Sequence, residues 1–274
     1  MPRIHAKKSL GQHFLRSKTA VRQIVEAAQL TQGELVLEIG PGEGVLTDAL
    51  LSSGAAVIAV EADERCIAKL EERFSKQITS GALRLIFGDI RNEAIQKELF
   101  TKKFLGNNIY KLVANIPYYI TGMLFRLFLE QLRKPRLIIF LVQKEVAEAI
   151  IARNHKESIL SLSIKIYGVP KYVAKVKREA FAPPPKVDSA IIAISDISGE
   201  RLTNLSDVTY FRIIKAGLSA KRKMLLGNLT RSLGIPKDIL SKIFTELDIP
   251  ENTRGEDVSA RIWLLLAQKI KSEL

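Results

Sequence analysis

Between residues 34 and 142, five short runs are apolar at nearly every position, and this feature limits the fold more than any other. They are Leu35 to Ile39, Ala56 to Val60, Leu83 to Phe87, Ile109 to Val113 and Leu137 to Val142. A strand with one wet face alternates apolar and polar residues, whereas an unbroken run is covered on both faces. Helical patterns at about 44–52, 64–76, 93–100, 121–132 and 143–153 separate the runs. Strand-helix alternation of this kind predicts a doubly wound, mostly parallel α/β sheet. Two further strands are expected at Val173 to Lys177 and Val187 to Ser195. Pro183-Pro184-Pro185 offers no N–H to a ladder, so the approach to the last strand is extended and lies outside the central pairing.

After Ser195 the character changes. Asp196 to Ser206 is polar and turn-rich, and four helical patterns follow at about 207–219, 222–232, 237–247 and 257–272. In the last, Val258, Ile262, Leu265, Leu266 and Ile270 form an apolar stripe with Trp263 at its edge. The expected division is an α/β domain over 1–198 and a small all-helical domain over 199–274. A chain of 274 residues with 47% hydrophobic content can fill one large core and one small one. No apolar run exceeds the six residues of Leu137 to Val142, far short of the roughly 20 residues that cross a bilayer in a helix. The basic N-terminus lacks an apolar stretch and does not read as a secretory signal. Cys66 alone excludes a disulfide framework and a cysteine-cluster metal site, and reads as a small buried side chain on a helix. A cytoplasmic protein without a metal is expected.

The formal net charge of +13 is unevenly spread. Residues 26 to 110 carry 13 acids against 9 bases, which leaves +17 on the rest. No acid precedes Glu26, while Arg3, Lys7, Lys8, Arg16, Lys18 and Arg22 do. Between Asp207 and Asp238 seven bases occur without an acid, Lys221, Arg222 and Lys223 among them. Basic clusters around a mildly acidic block point to a polyanion gripped by the periphery, and nucleic acid is the natural one.

The first strand runs into Glu38-Ile39-Gly40-Pro41-Gly42-Glu43-Gly44. Glycines between a strand and a helix let the backbone turn tightly and approach a ligand closely. Glu61 ends the second strand, where a carboxylate can accept from both hydroxyls of a ribose; Asp89 ends the third, where one can accept from an adenine amino group. The G-x-G-x-G spacing, the third-strand acid and the lack of an anion-binding lysine favour S-adenosylmethionine over a dinucleotide. At the end of the fourth strand stands Asn115-Ile116-Pro117-Tyr118-Tyr119, which matches the signature of amino-group methyltransferases. An adenine N6 lone pair is delocalised and weakly nucleophilic. The Asn115 amide oxygen and the Ile116 carbonyl can accept its N–H bonds, Pro117 stiffens the turn, and Tyr118 offers a stacking face to an extruded base.

These residues carry a resemblance. The chain from Leu10 onward resembles the rRNA adenine N6,N6-dimethyltransferases of the kasugamycin-resistance type, which modify small-subunit rRNA. The shared motifs are Leu10 to Leu15, Glu38 to Thr47, Asn115 to Ile120, Gln143 to Ala147, Phe181 to Ala190, and Lys221-Arg222-Lys223 with Asn228-Leu229. The resemblance implies a Rossmann-like S-adenosylmethionine-dependent methyltransferase sheet followed by a small helical domain that docks on the ribosome. It implies that Gln12, His13 and Leu15 close over the methionine end of the cofactor. Gly40, Gly42, Glu61, Asp89 and Asn115 would complete that site, and Phe181 would sandwich the target adenine against Tyr118. Lys221, Arg222 and Lys223 would bind rRNA. The implied substrate is two adjacent adenosines in a hairpin loop near the 3′ end of the rRNA, within the 30S subunit or its precursor, and the implied enzyme is a monomer.

Three departures from the family pattern are visible: His13 in place of Asn, Tyr119 where Asn is common, and an atypical Arg153 to Ser158 segment. The nearest rival is the macrolide-resistance methyltransferases of large-subunit rRNA, against which the Lys221 to Leu229 stretch and Val187 to Ala190 stand. A DNA adenine methyltransferase, or an assembly factor that keeps only the fold, fits the motifs less well.

Overall fold

The computed structural model describes residues 4–7, 11–130, 133–202 and 205–274; Leu10 and the last two residues of the helix expected at 121–132 lie outside them. In chain order the elements are β1 (Phe14–Leu15), α1 (Lys18–Ala28), β2 (Leu35–Ile39), α2 (Val45–Ser52), β3 (Ala56–Glu61), α3 (Glu64–Arg73), α4 (Ser75–Thr79), β4 (Leu83–Phe87) and α5 (Glu93–Leu99). They continue with β5 (Lys111–Asn115), α6 (Thr121–Glu130), β6 (Leu137–Gln143), α7 (Lys144–Ile150), α8 (Ile159–Lys165), β7 (Val169–Val176), β8 (Phe181–Ala182) and β9 (Ser189–Ser195). Four helices end the chain: α9 (Asp207–Gly217), α10 (Leu225–Leu233), α11 (Lys237–Glu246) and α12 (Ala260–Ile270).

Seven strands form one sheet in the order β4-β3-β2-β5-β6-β9-β7. The pairs β2–β3, β2–β5, β3–β4 and β5–β6 are parallel, and β9 runs antiparallel to β6. The predicted mostly parallel sheet is present, and the central strands are buried on both faces as their unbroken apolar runs required. Three strands are displaced. β7 spans Val169–Val176 rather than Val173 to Lys177, and β9 begins at Ser189 rather than Val187. The fourth parallel strand begins at Lys111 rather than Ile109, which is 74% exposed. Buried Lys111 reaches the end of α1, where Nζ donates to the carbonyls of Ala28 (2.9 Å) and Gln29 (2.8 Å) and to Glu34 Oε2 (2.8 Å). A helix C-terminus leaves carbonyls without partners, and a lysine is suited to satisfy them.

Helix α1 itself escaped the sequence reading. Ser17 caps it by accepting from Ala20 N at 3.2 Å, and Ala20, Val21, Ile24 and Ala28 face the core. A two-stranded ribbon was also unforeseen: β1 pairs antiparallel with β8, Phe14 opposite Ala182 and Leu15 opposite Phe181.

The chain divides into two compact units, residues 1–147 with 171–197, and residues 148–170 with 198–274. The expected division at 198/199 leaves residues 148–170 in the α/β domain, whereas the structure groups them with the C-terminal helices. The reason is burial in α8 and after it. Leu162 and Ile164 are buried, Tyr167 OH donates to Asp207 Oδ2 at 2.7 Å, and Tyr210 OH donates to the Leu162 carbonyl at 3.4 Å. Within this unit Trp263 is fully buried rather than at the edge of a stripe, because α12 turns Trp263, Leu266, Ala267 and Ile270 inward. Its Nε1 donates to the Gly255 carbonyl at 3.0 Å. Among the described residues no helix is long and apolar enough to cross a membrane.

Candidate active site

The turns that follow β2, β3, β4 and β5 meet at the carboxyl edge of the sheet and line one pocket, with residues 11–15 forming a further wall. Gly40, Gly42 and Gly44 all adopt positive φ, which only glycine takes without strain. At Gly42 there is a second constraint, because a Cβ would come within 3.0 Å of the Phe14 ring. The turn is tied to the sheet by Gly40 N, which donates to the Val60 carbonyl at 2.9 Å.

Glu61, at the end of β3, is buried and accepts from Gly42 N at 2.9 Å and Asp63 N at 2.8 Å. Each oxygen keeps a second lone pair for a ligand hydroxyl. Burial pushes its carboxyl above the usual range, and the backbone donors of Asp63, Gly42 and Ala62 oppose that shift. Glu38 is more extreme. It is 1% exposed, and burial raises its carboxyl to about 8 despite the bond from Thr47 Oγ1 at 2.7 Å. Asp89 takes three bonds from Arg91 side-chain nitrogens at 2.5–3.0 Å, with Arg91 N at 2.9 Å, and this partner holds its carboxyl below the usual range.

The Asn115 amide has a defined orientation. Its Nδ2 donates to the His13 carbonyl at 3.2 Å, which leaves Oδ1 as an acceptor in the pocket wall. His13 Nδ1 lies 2.8 Å from the Pro183 carbonyl, and since a carbonyl only accepts, the ring proton sits on Nδ1. The His13 and Tyr118 rings stack with centroids 6.0 Å apart and planes 24° apart. Tyr118 OH pairs with buried Ser189 Oγ at 2.7 Å, so the Asp188-Ser189 motif orients the tyrosine.

Gln12, His13, Leu15, Gly40, Gly42, Glu61, Asp89, Asn115, Ile116, Pro117 and Tyr118 are therefore brought to one pocket. Phe181 is not. It is 4% exposed and belongs to the same buried cluster as Leu15, Val21 and Ile24, so the ring beside Tyr118 is that of His13. Lys221, Arg222 and Lys223 occupy an exposed turn in the other unit, ahead of α10 rather than at its start. Buried Asn228 holds that turn, with Nδ2 donating to the carbonyls of Gly217 (2.8 Å) and Ala220 (3.1 Å).

Two site residues were missed by the sequence reading. Asp63 caps α3 and accepts from Gln12 Nε2 at 2.9 Å, with Lys7 Nζ at 3.5 Å and Arg65 Nη2 at 2.6 Å. Glu43, inside the glycine turn, pairs with Arg16 and with Lys69 Nζ at 2.7 Å, and accepts from Ile4 N at 3.1 Å. Their partners hold both carboxyls below the usual range. The signal lay in the charge pattern: an acid-free basic N-terminus needs acids to rest on, and the two nearest the glycine turn and Glu61 supply them.

A family model described as ribosomal RNA adenine dimethylase matches residues 3–272. The chain belongs to the ribosomal RNA adenine dimethylases. A relative from Dehalococcoides mccartyi, named ribosomal RNA small subunit methyltransferase A, is 41% identical over 261 residues, covering 95% of this chain and 87% of its own. A dimethyladenosine transferase from Plasmodium falciparum superposes with a TM-score of 0.76 at 25% identity, over 95% of this chain and 98% of that one. The 23S rRNA methyltransferase ErmE superposes with a TM-score of 0.73 at 24% identity, over 94% and 99% of the two chains, a likeness of fold. As a member of this family the protein is an S-adenosylmethionine-dependent methyltransferase. The pocket fits that cofactor: a Cβ at Gly40 meets nothing within 4 Å, so the turn presents open space, and Glu61 offers spare lone pairs beside it.

Proposed function

We propose that the protein dimethylates N6 of two adjacent adenosines in a hairpin loop near the 3′ end of small-subunit rRNA, with the 30S subunit or its precursor as substrate. The observation that carries this reading is the orientation of Asn115, a pocket-lining residue whose Nδ2 is held by the His13 carbonyl, which leaves Oδ1 as the acceptor. An acceptor so placed, with the Ile116 carbonyl, takes the N6–H bonds, two before the first transfer and one before the second, and aims the nitrogen lone pair. Bound S-adenosylmethionine supplies the electrophilic methyl group. Glu61 holds the ribose. Asp89 takes the adenine amino group while it keeps its hold on Arg91. Gln12, His13 and Leu15 cover the methionine end, anchored through Asp63. Tyr118, fixed by Ser189, stacks on the target base, and Phe181 supports the wall from the core. Positioning of this kind supplies much of the rate in an in-line transfer. The name of the Dehalococcoides relative supports the small subunit as substrate. The enzyme acts as a cytoplasmic monomer, with Lys221, Arg222 and Lys223 on rRNA phosphates.

The test is labelled-methyl transfer to undermethylated 30S particles, 50S particles and naked rRNA, followed by nucleoside analysis. Dimethyladenosine in the 30S arm is expected, and it should vanish in Asn115→Ala while cofactor affinity stays within a few-fold. Transfer to 50S particles alone would replace the proposal with the macrolide-resistance reading.

A further inference from the structure

Beside the pocket stands an aromatic ring that the proposed chemistry does not use. Tyr119 lines the pocket next to Tyr118 yet is 55% exposed. The Arg91 guanidinium lies 5.5 Å from its centroid. Asp89 holds that guanidinium through Nε and Nη2, and the Arg91 side chain is still 49% exposed. On the N-terminal segment, Gly11 approaches the ring so closely that a Cβ would lie 3.2 Å from Cδ1 and Cε1. Its φ of +56° also favours glycine. A side chain at position 11 would press on the ring; glycine leaves it open. An exposed aromatic plane beside a fixed cation is what sequence-tolerant single-stranded nucleic-acid sites are built from, because bases stack on the ring and the cation meets the ring face or a phosphate.

We infer that Tyr119 with Arg91 forms a second nucleotide subsite, in which the base adjoining the target adenosine stacks on Tyr119 while the target occupies the Tyr118 site. Tyr118 and Tyr119 are consecutive in one short helical turn, so successive nucleotides of one strand can reach consecutive rings. The ring face suits any base. The subsite holds the strand in register without reading its sequence. This rests on the proposed RNA substrate and adds the contact that keeps the neighbour of the reacting adenosine in place.

The test compares Tyr119→Ala, Tyr119→Leu and Tyr119→Phe in single-turnover methyl transfer to undermethylated 30S particles at saturating S-adenosylmethionine, with cofactor affinity measured by calorimetry. Stacking on an aromatic side chain, judged by alanine substitution elsewhere, corresponds to about a 5- to 150-fold effect per base. Tyr119→Ala and Tyr119→Leu should therefore lose about ten-fold or more in rate, and cofactor affinity should stay within about two-fold. Tyr119→Phe, which keeps the ring and loses the hydroxyl, should recover most of the rate. Tyr119→Leu keeps apolar bulk, so a Leu variant as active as wild type overturns stacking even if Tyr119→Ala unfolds. Loss of cofactor affinity in step with rate assigns the ring to the cofactor and also overturns it, as does a Phe variant as slow as Leu. If the wild type methylates 50S particles or naked rRNA in place of 30S, the substrate reading fails, and the same series on the RNA that is methylated still decides the subsite.

Discussion

Glu38 and Glu61 end neighbouring strands, and the protein treats the two carboxyls differently. Glu61 is met by backbone donors, whereas Glu38 has one hydroxyl, and burial raises it to about 8 from an ordinary 4.5. A carboxyl raised on folding keeps its proton where the unfolded chain has lost it. Its contribution to stability is complete below about pH 4.5 and disappears as the pH rises through 8. Glu38→Gln, uncharged at every pH, should flatten the decline in urea-derived stability between these values and should exceed wild type in relative stability above pH 8. Parallel profiles for the two proteins would show that Glu38 is ionised when folded. Glu61→Ala should weaken S-adenosylmethionine binding by about 1.5–3 kcal/mol, the range for hydrogen bonds to a charged group. Calorimetry on a folded variant with unchanged affinity would remove Glu61 from the ribose site. At this scale most of the site was legible, because the glycines, Glu61, Asp89 and Asn115 each follow an apolar run. Phe181 lies in the buried cluster and not in the pocket lining, a placement its motif does not give, because a motif fixes position along the chain and not which way the ring turns.

The N-terminal segment behaves as an element although it is mostly irregular. It is held on two buried acids, Asp63 through Gln12 and Lys7, and Glu43 through Arg16 and Ile4 N. Asp63→Asn keeps a side-chain oxygen to cap α3 but loses the charge. Amide exchange over residues 11–16 should therefore speed up by ten-fold or more while α3 stays protected, and protection unchanged in both regions would dismiss Asp63 as the anchor. Lys111→Met tests the join between β5 and α1. Removing three bonds from a buried ammonium should cost about 1.5–3 kcal/mol in chemical denaturation, since the carbonyls it served are left without partners. A loss below about 0.5 kcal/mol would mean that water replaces the lysine. These features were hidden from the sequence for one reason: a tether or a cap joins residues 27 to 83 positions apart, and periodicity reports only on neighbours. Helices α1 and α8 were missed because their apolar stripes are short and their caps, Ser17 and Ser158, were not sought.

For the whole molecule the legible part was architecture: a sheet buried on both faces, then helices alone. The illegible part was membership, since residues 148–170, which run from within α7 into the first two residues of β7, group with the helices. The basic turn at Lys221 to Lys223 makes its prediction at this scale. Replacing all three by Ala should weaken binding to 30S particles and lower the slope of log affinity against log salt by about 2–3, at roughly 0.7–0.9 for each phosphate that is no longer neutralised. Cofactor affinity should be untouched, because the pocket belongs to the other unit. An unaltered salt slope with full activity would end the docking role. The β1–β8 ribbon sets a different kind of limit. Leu15 cannot find Phe181 until the ribosome has made and released the chain well past residue 182. During synthesis the wall that carries Gln12 and His13 is thus among the last parts of its unit to settle, and a nascent chain stalled before β8 can build most of the parallel sheet without closing its own pocket.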